Sequence, residues 1–212
     1  MTPTTVVRAF LLVLALGVGQ ALAADVKVIP AGKNEKGYAT GDMVLGKADA
    51  PVTVIEYASM TCPHCAAFHV EELPKIKSEF IDTGKVRLVF REFPLDGFAL
   101  RGAMVARCAG PDRYFALLEV LFKQQMVWSR PPKDSKEPLA ELQKIARLAG
   151  IGEQAFQACV NDQALADEIV ARRQEGDKTY QIKSTPGFVV NGKTLERQRL
   201  SDAINDALKA KS

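Results

Sequence analysis

The sequence predicts an α/β fold in which a central mixed sheet with flanking helices carries an all-helical insertion. Two β-branched and aromatic runs, 52–57 and 86–93, stand on either side of an amphipathic helical pattern. From about residue 97 to 176 the apolar residues recur with a helical period. A further strand-type run with a hairpin signal and a closing helix end the chain, which predicts that an antiparallel part is added to a parallel pair.

The first 23 residues predict a signal peptide. Arg8 precedes an apolar run from Ala9 to Val18, and small residues suited to cleavage follow up to Ala23. A membrane anchor is the alternative, but the run is well short of the roughly 20 residues that span a bilayer. We therefore expect an exported, periplasmic protein with a single domain at 24–212.

The charge balance gives no footprint of nucleic-acid binding. The chain has 28 Lys and Arg against 25 Asp and Glu, a formal net charge of +3. Removing residues 1–23 takes away Arg8 and no acid, which leaves 27 against 25 and a net charge of +2. The segment that follows, 24–41, is mostly polar and predicts an extended leader with at most an edge strand at Val26–Ile29.

The first part of the domain core is expected at about 43–96. Its predicted elements are a short strand, the central strand, a helix and a second strand, at 43–45, 52–57, 63–83 and 86–93. Pro63 fits the first helical position, where a missing N–H costs nothing, and Pro74 should bend the helix. Gly84 should end it, and the connection is long enough for the two strands to pair in parallel.

The helical insertion, about 97–176, contains five predicted helices and a polar, proline-rich loop at 126–138. The helices are 98–109, 112–125 with Asp112 as its cap, 139–149, 153–160, and one that starts after Asp162. The rest of the core, about 177–212, has a strand-type run at 184–195 and a closing helix at 198–209. The dipeptide Asn191-Gly192 predicts a type I′ hairpin turn within this run.

Two cysteines stand where the central strand leads into the first helix. Cys62 is the predicted N-cap, where unpaired backbone N–H groups and the helix dipole favour the thiolate. Cys65 lies one turn further in, on the packed side, and His64 adds a donor or a positive charge. We expect Cys62 to be the acidic, exposed nucleophile and Cys65 the shielded resolving thiol. Stabilising the reduced form in this way makes the pair an oxidant.

Cysteines at this spacing also occur in metal sites, and Cys65 with His69 has a helical spacing compatible with zinc ligation. The chain has two histidines, His64 and His69, and no second closely spaced cysteine pair, so a closed tetrahedral site is hard to assemble. Haem attachment is excluded because Ala66, rather than a histidine, follows the second cysteine. We expect neither a metal nor another cofactor.

Glu56 is the one charged residue of the central strand, six positions before Cys62. A carboxylate buried beneath the two thiols could shuttle the proton of Cys65. The alternative is an acid at the strand end that reaches solvent.

The four cysteines allow three pairings. If Cys62 pairs with Cys65, then Cys108 and Cys159 remain, either as a structural disulfide without a redox role or as two separate buried thiols. Export permits the disulfide. It would close a loop of about 50 residues and, from chain entropy, add on the order of 4 kcal/mol to stability.

This ordered set of motifs resembles the DsbA family of exported thiol:disulfide oxidoreductases, which have a thioredoxin-like fold. The resemblance covers essentially the whole chain after the predicted signal peptide. The motifs that carry it are Cys62-Pro63-His64-Cys65, Glu56, the helical insertion and Thr185-Pro186. It implies that Pro186 is a cis-proline opposite the cysteines. It also implies that Thr185 offers backbone hydrogen bonds to a cysteine-containing peptide.

The resemblance further implies that the protein donates the Cys62–Cys65 disulfide to newly exported polypeptides, and we expect it to act as a monomer. Reoxidation would come from a quinone-linked membrane protein similar to DsbB. One alternative is a disulfide isomerase or reductase kept reduced by another partner, because Thr185 before the proline resembles isomerase-type relatives and thioredoxin. Another is a non-redox metal-binding or chaperone-like module.

Overall fold

The computed structural model describes residues 26–196 and 199–210 of the 212-residue chain. The predicted signal peptide at 1–23 lies outside the described residues. The strands are β1 Gly32–Lys33, β2 Ala39–Thr40, β3 Met43–Leu45, β4 Val52–Ala58, β5 Val86–Glu92, β6 Gly187–Val190 and β7 Lys193–Thr194. The helices are α1 Pro63–Ala67, α2 Leu73–Ile76, α3 Gly97–Cys108, α4 Tyr114–Lys123, α5 Gln125–Trp128, α6 Ala140–Leu148, α7 Glu153–Val160, α8 Gln163–Tyr180 and α9 Leu200–Lys209. Two π-helical turns, Phe68–Glu72 and Lys77–Ile81, make 63–81 one helical segment.

The main sheet has the order β3-β5-β4-β6-β7. Strands β4 and β5 pair in parallel, and β3, β6 and β7 pair antiparallel with their neighbours. The prediction of a mixed sheet built on a parallel pair is therefore confirmed. All seven residues of β4 are buried, as expected of a continuous apolar strand at the centre of a sheet covered on both faces.

Helices cover both faces of the sheet. On one face, Val54 and Leu88 pack with Phe80 of the first helical segment and Ile204 of α9. Phe90 lies on the same face and packs with helices of the insertion, whereas on the other face Ile55 and Val89 pack with Tyr180 of α8. The sheet thus delivers the end of β4 to the boundary between the core and the insertion.

The first helical segment is continuous through Pro74. The π-helical turn Phe68–Glu72 directly precedes α2, and the N–H of Leu73 donates to the carbonyl of Phe68. A π turn shifts the hydrogen-bond register by one residue, so the missing N–H of Pro74 falls where the register changes. The segment ends before Gly84, whose φ of 76° is the left-handed value predicted for this position.

The predicted edge strand at Val26–Ile29 is wrong. This part of the leader is held by Asp42, whose carboxylate accepts from the Ile29 N–H at 2.8 Å, while the Asp42 N–H donates to the Ile29 carbonyl at 2.8 Å. Arg91 on β5 binds both carboxylate oxygens of Asp42 at 2.9 Å and the Lys27 carbonyl at 2.8 Å. The side chains of Asp42 and Arg91, together with the Asp42 N–H, hold the leader's backbone in place of a sheet edge.

The insertion is all helical, with two differences from the predicted elements. Helix α4 begins at Tyr114 and is not capped by Asp112, because the turn Gly110–Arg113 intervenes and Asp112 pairs with Lys33 at 2.8 Å. The start of the predicted loop forms α5, because Trp128 is buried and its Nε1 donates to the Leu121 carbonyl at 2.8 Å.

Several local signals led to the structures expected of them. Asp162 caps α8 by accepting from the Leu165 N–H at 3.2 Å. Asn191 and Gly192 both have positive φ, 46° and 83°, as a type I′ turn requires. Across 26–196 and 199–210, no helix combines the length and apolar character needed to cross a bilayer.

Candidate active site

The end of β4 turns sharply into α1 and places the two cysteines. Cys62 has extended backbone, with φ −78° and ψ 119°, and Pro63 is the first helical residue. Three residues, 59–61, separate the end of β4 from Cys62, which sits at the N-cap, as the sequence predicted. Pro63 and His64 are exposed on the outer side of this turn.

Cys62 is less exposed than the sequence suggested. Its exposed fraction is 7%, because the segment before β6 packs over it. The Thr185–Pro186 bond in that segment is cis, and the Cys62 Sγ donates to the Thr185 carbonyl at 3.2 Å. The expected exposed nucleophile is thus a sulfur held against a backbone carbonyl, which is a correction caused by the long-range approach of β6.

The environment of Cys62 favours its thiolate. Burial alone would raise its pKa, but hydrogen bonding with the side chain of Thr185, with the backbone and side chain of Cys65 and with the backbone of His64 outweighs burial. The pKa of Cys62 lies below its ordinary value. The N–H groups of the first turn are the donors that the helix start leaves unpaired.

The environment of Cys65 favours its thiol. Cys65 has no exposed surface. Burial raises its pKa most, and the nearby Glu56 carboxylate and the Cys62 sulfur raise it further, against a smaller opposing hydrogen bond to the Ser59 backbone. Two thiols three residues apart thus differ in acidity because one faces a helix N-terminus and the other is enclosed in the core beside an acid.

Glu56 is fully buried beneath the cysteines, so it is not the solvent-reaching acid of the alternative interpretation. Its Oε1 lies 2.9 Å from the Nε2 of His69, which is also buried. The second oxygen, Oε2, is buried and has no hydrogen-bond partner among the described residues.

A further residue of the site, Gln125, has no signal in the sequence. It is buried at the start of α5, and its Nε2 donates to the carbonyl of Met60 at 3.0 Å and to that of Cys62 at 2.9 Å. A glutamine at a helix end is usually exposed, so its role depends on how the insertion folds back on the turn. Asp96 holds the same turn by accepting from the Thr61 hydroxyl at 2.6 Å.

Cys108 and Cys159 lie away from this site and are joined by a disulfide with an S–S distance of 2.02 Å. It ties the end of α3 to α7 within the insertion. In the described part of the chain, no group of three or more His, Cys, Asp and Glu side chains could hold a metal ion.

A Cys-x-x-Cys at the start of a helix, a cis-proline against its first sulfur and a mixed sheet beneath them define a dithiol protein of thioredoxin fold. Residues 39–210 match the family model described as Thioredoxin, and the chain belongs to the thioredoxin family, in its DsbA-like branch. The expected family and fold are thereby confirmed.

Solved structures and curated relatives agree with this assignment. Wolbachia pipientis α-DsbA1 is 32% identical with a TM-score of 0.69, over 80% of this chain and 92% of that one. Oxidised BdbD of Bacillus subtilis is 26% identical with a TM-score of 0.66, over 86% and 100%. A Rickettsia bellii relative named as a protein-disulfide oxidoreductase is 35% identical over 171 residues. The match covers 79% of this chain and 64% of that relative, so the chain spans less than two thirds of its length.

Proposed function

We propose that this protein is a thiol:disulfide oxidoreductase that donates a Cys62–Cys65 disulfide to cysteines of newly exported polypeptides. The observation that carries the proposal is the opposite ionisation of the two thiols. The pKa of Cys62 is lowered and that of Cys65 is raised. Stabilising the Cys62 thiolate stabilises the reduced protein, and this makes its disulfide a strong oxidant.

The reaction begins with the oxidised enzyme. A substrate thiolate attacks Cys62, a new substrate–Cys62 disulfide forms, the Cys62–Cys65 bond breaks, and the electron pair leaves on the Cys65 sulfur, which takes up a proton. A second substrate thiolate then attacks the substrate sulfur of the mixed disulfide. The substrate is released with its own disulfide, and Cys62 leaves as a thiolate.

Glu56 is proposed as the group that exchanges a proton with Cys65. The Cys65 sulfur is fully buried, so water cannot protonate it directly, while the Glu56 carboxylate is close enough to raise its pKa. The backbone N–H of His64 helps to hold the Cys62 thiolate, and Pro63 starts the helix that supplies these donors.

Thr185 and Pro186 are proposed to bind substrate. The Thr185 carbonyl already accepts from Cys62 at 3.2 Å, so backbone at this position is within hydrogen-bond reach of the reacting sulfur. A shallow groove of about 300 Å³ beside the cysteines is lined by Pro63, Ala66, Val70 and Met126, among others. Its apolar lining suits an unfolded polypeptide.

The wider setting is also proposed. The predicted signal peptide at 1–23 favours export to the periplasm, with a core at about 43–96 and 177–212 and the insertion at about 97–176 as one domain. We propose that the protein acts as a monomer, and that a quinone-linked membrane protein similar to DsbB reoxidises it. The Cys108–Cys159 disulfide is proposed to be structural.

The equilibrium reduction potential of the Cys62–Cys65 pair in glutathione buffers tests the oxidase proposal. We expect a value more oxidising than about −200 mV. A value near about −270 mV, the range of thioredoxin, would instead assign a reductase or isomerase. Cys62→Ser should abolish oxidation of a reduced test protein, whereas a chaperone-like activity without redox turnover would survive it.

A further inference from the structure

His69 sits where a proton could pass between Glu56 and solvent. Its Nε2 is 2.9 Å from Glu56 Oε1, and its ring is stacked on Phe122, with centroids 4.1 Å apart and planes 26° from parallel. Phe68 and Phe90 meet the ring edge-on. The aromatic residues fix the ring in one orientation, with one nitrogen aimed at the buried carboxylate.

The same ring lines a cavity of about 370 Å³ between the first helical segment and α4. The remaining lining includes Leu73, Pro74 and Phe115, and the charged side chains Lys77, Glu119 and Lys123 are at its mouth. These three, with Glu56 and Cys65 on the inner side, are the charged and titratable groups that face His69. The cavity therefore offers water an approach to His69 between the first helical segment and α4.

Within residues 26–196 and 199–210, His69 is the side chain that hydrogen-bonds Glu56. The Glu56 side chain has no exposed surface, and its free oxygen, Oε2, has no hydrogen-bond partner among the described residues. A carboxylate that must gain and lose a proton in each turnover therefore needs an exchange partner. Imidazole can serve, because it can accept a proton at one nitrogen while it donates from the other.

We propose that His69 is a proton-relay residue that connects Glu56, and through it Cys65, with water in the cavity beside α4. This inference rests on the proposed oxidoreductase function and names a positioning and relay residue for it. When the Cys65 thiolate is released, Glu56 gives it a proton, His69 Nε2–H reprotonates Glu56, and His69 takes a proton from water. During reoxidation the proton of Cys65 leaves by the reverse sequence.

The test compares wild type with His69→Gln, whose amide can still donate to Glu56 but cannot pass a proton on. The measurement is the rate at which Cys65 resolves a preformed mixed disulfide between Cys62 and glutathione, followed by acid quench and mass spectrometry. We expect His69→Gln to be slowed about tenfold or more at pH 7. Millimolar imidazole, which is small enough for the cavity, should restore much of the rate.

Two comparisons separate a relay from a structural role. The thiolate absorbance of Cys62 should titrate at the same pH in wild type and His69→Gln, and imidazole should not restore the rate of Glu56→Gln. If His69→Gln resolves the mixed disulfide as fast as wild type, or is slow without any response to imidazole, the relay is wrong. If His69→Gln does not fold, His69→Glu replaces it; a carboxylic acid can carry protons, so its rate should stay within about threefold of wild type, and a larger loss would overturn the relay.

Failure of the relay and failure of the proposed function give different results. If wild-type protein does not form or resolve the mixed disulfide at all, the oxidoreductase proposal fails and the relay with it. If wild type is active and His69→Gln is indistinguishable from it, only the relay is overturned.

Discussion

Cys62 and Cys65 lie at opposite ends of one helical turn, and the surroundings of each decide its ionisation. Cys62 lies against N–H groups and beside Thr185, whereas Cys65 is enclosed by the core next to Glu56. The difference depends on local donors and on one buried carboxylate. The ionisation of each thiol should therefore be measurable separately, in the protein without substrate.

Titration of two variants, each lacking one of the two cysteines of the site, should separate the pKa values of Cys62 and Cys65. In Cys65→Ser, the remaining Cys62 should ionise with a midpoint below the ordinary value of about 8.5 for cysteine. Its reactivity with iodoacetamide should persist below that pH and be lost as the pH falls through the lowered pKa. In Cys62→Ser, Cys65 should stay protonated well above about 8.5. Thiolate absorbance at 240 nm reports both, and equal midpoints would contradict the asymmetry.

The residues of the site that sequence analysis found are those whose position is set locally. Cys62 is an N-cap because Pro63 follows it, and Glu56 is buried because its strand is apolar. The partner of Glu56 was not predictable, because the 13-residue separation from His69 is bridged only when the helix packs on the sheet. The exposure of Cys62 was overestimated for the same reason, since Thr185 is 123 residues away.

At the scale of elements, the helical insertion takes part in shaping the site. Helix α5 supplies Gln125, whose side chain spans the carbonyls of Met60 and Cys62, and α3 supplies its N-cap Asp96, which also binds Thr61. The turn between β4 and α1 is therefore held from the insertion as well as from its own strand.

Gln125→Met should loosen this turn, because it keeps an unbranched side chain and removes the donor. We expect a loss of about 1–3 kcal/mol in the free energy of unfolding, since the buried Met60 carbonyl loses its partner. Denaturant unfolding of the reduced protein measures it. The neighbouring Gln124 is exposed, so Gln124→Met is the matched control and should change stability by less than about 0.5 kcal/mol. Equal effects of the two substitutions would show that Gln125 contributes nothing specific.

Element boundaries were predicted well where a residue type imposes them. Asp162 and the Asn191-Gly192 turn are examples, because an N-cap acceptor and two positive φ values are local requirements. Helix α5 was not predicted, because the proline-rich residues that follow it indicate a loop. Burial of Trp128 against other helices is what orders this helix. The leader was misjudged because Asp42 acts through Arg91, 49 residues further on.

For the whole molecule, the insertion and the sheet are joined by buried charge as well as by apolar contacts. Arg107 of α3 binds both carboxylate oxygens of Glu92 at the end of β5, at 2.6 and 2.7 Å, and the Tyr114 hydroxyl donates to the same carboxylate at 2.7 Å. Burial alone would raise the pKa of Glu92, but the Arg107 guanidinium holds it below the ordinary value. A pair that is satisfied in this way fixes how the two parts meet.

The disulfide of the insertion should stabilise the entire fold. Cys108 and Cys159 are separated by 51 residues, and closing a loop of that length restricts the unfolded chain by on the order of 4 kcal/mol. The double variant Cys108→Ala with Cys159→Ala should lose about that much in denaturant unfolding. Adding dithiothreitol should lower the stability of wild type towards that of the variant. It should leave the insertion of the variant unaffected, because that insertion has no disulfide to reduce. Equal stability of wild type and variant under oxidising conditions would contradict the prediction.

Trp128 is the single tryptophan of the chain, and it is buried against the turn that carries Cys62. A Cβ added to Gly102 would lie 2.6 Å from its ring and 3.3 Å from the Cβ of Met60. All indole emission of the protein therefore comes from one point, between the insertion and the turn that carries Cys62. Fluorescence of the unlabelled protein can report on this contact during folding and turnover, with no background to subtract from a second tryptophan.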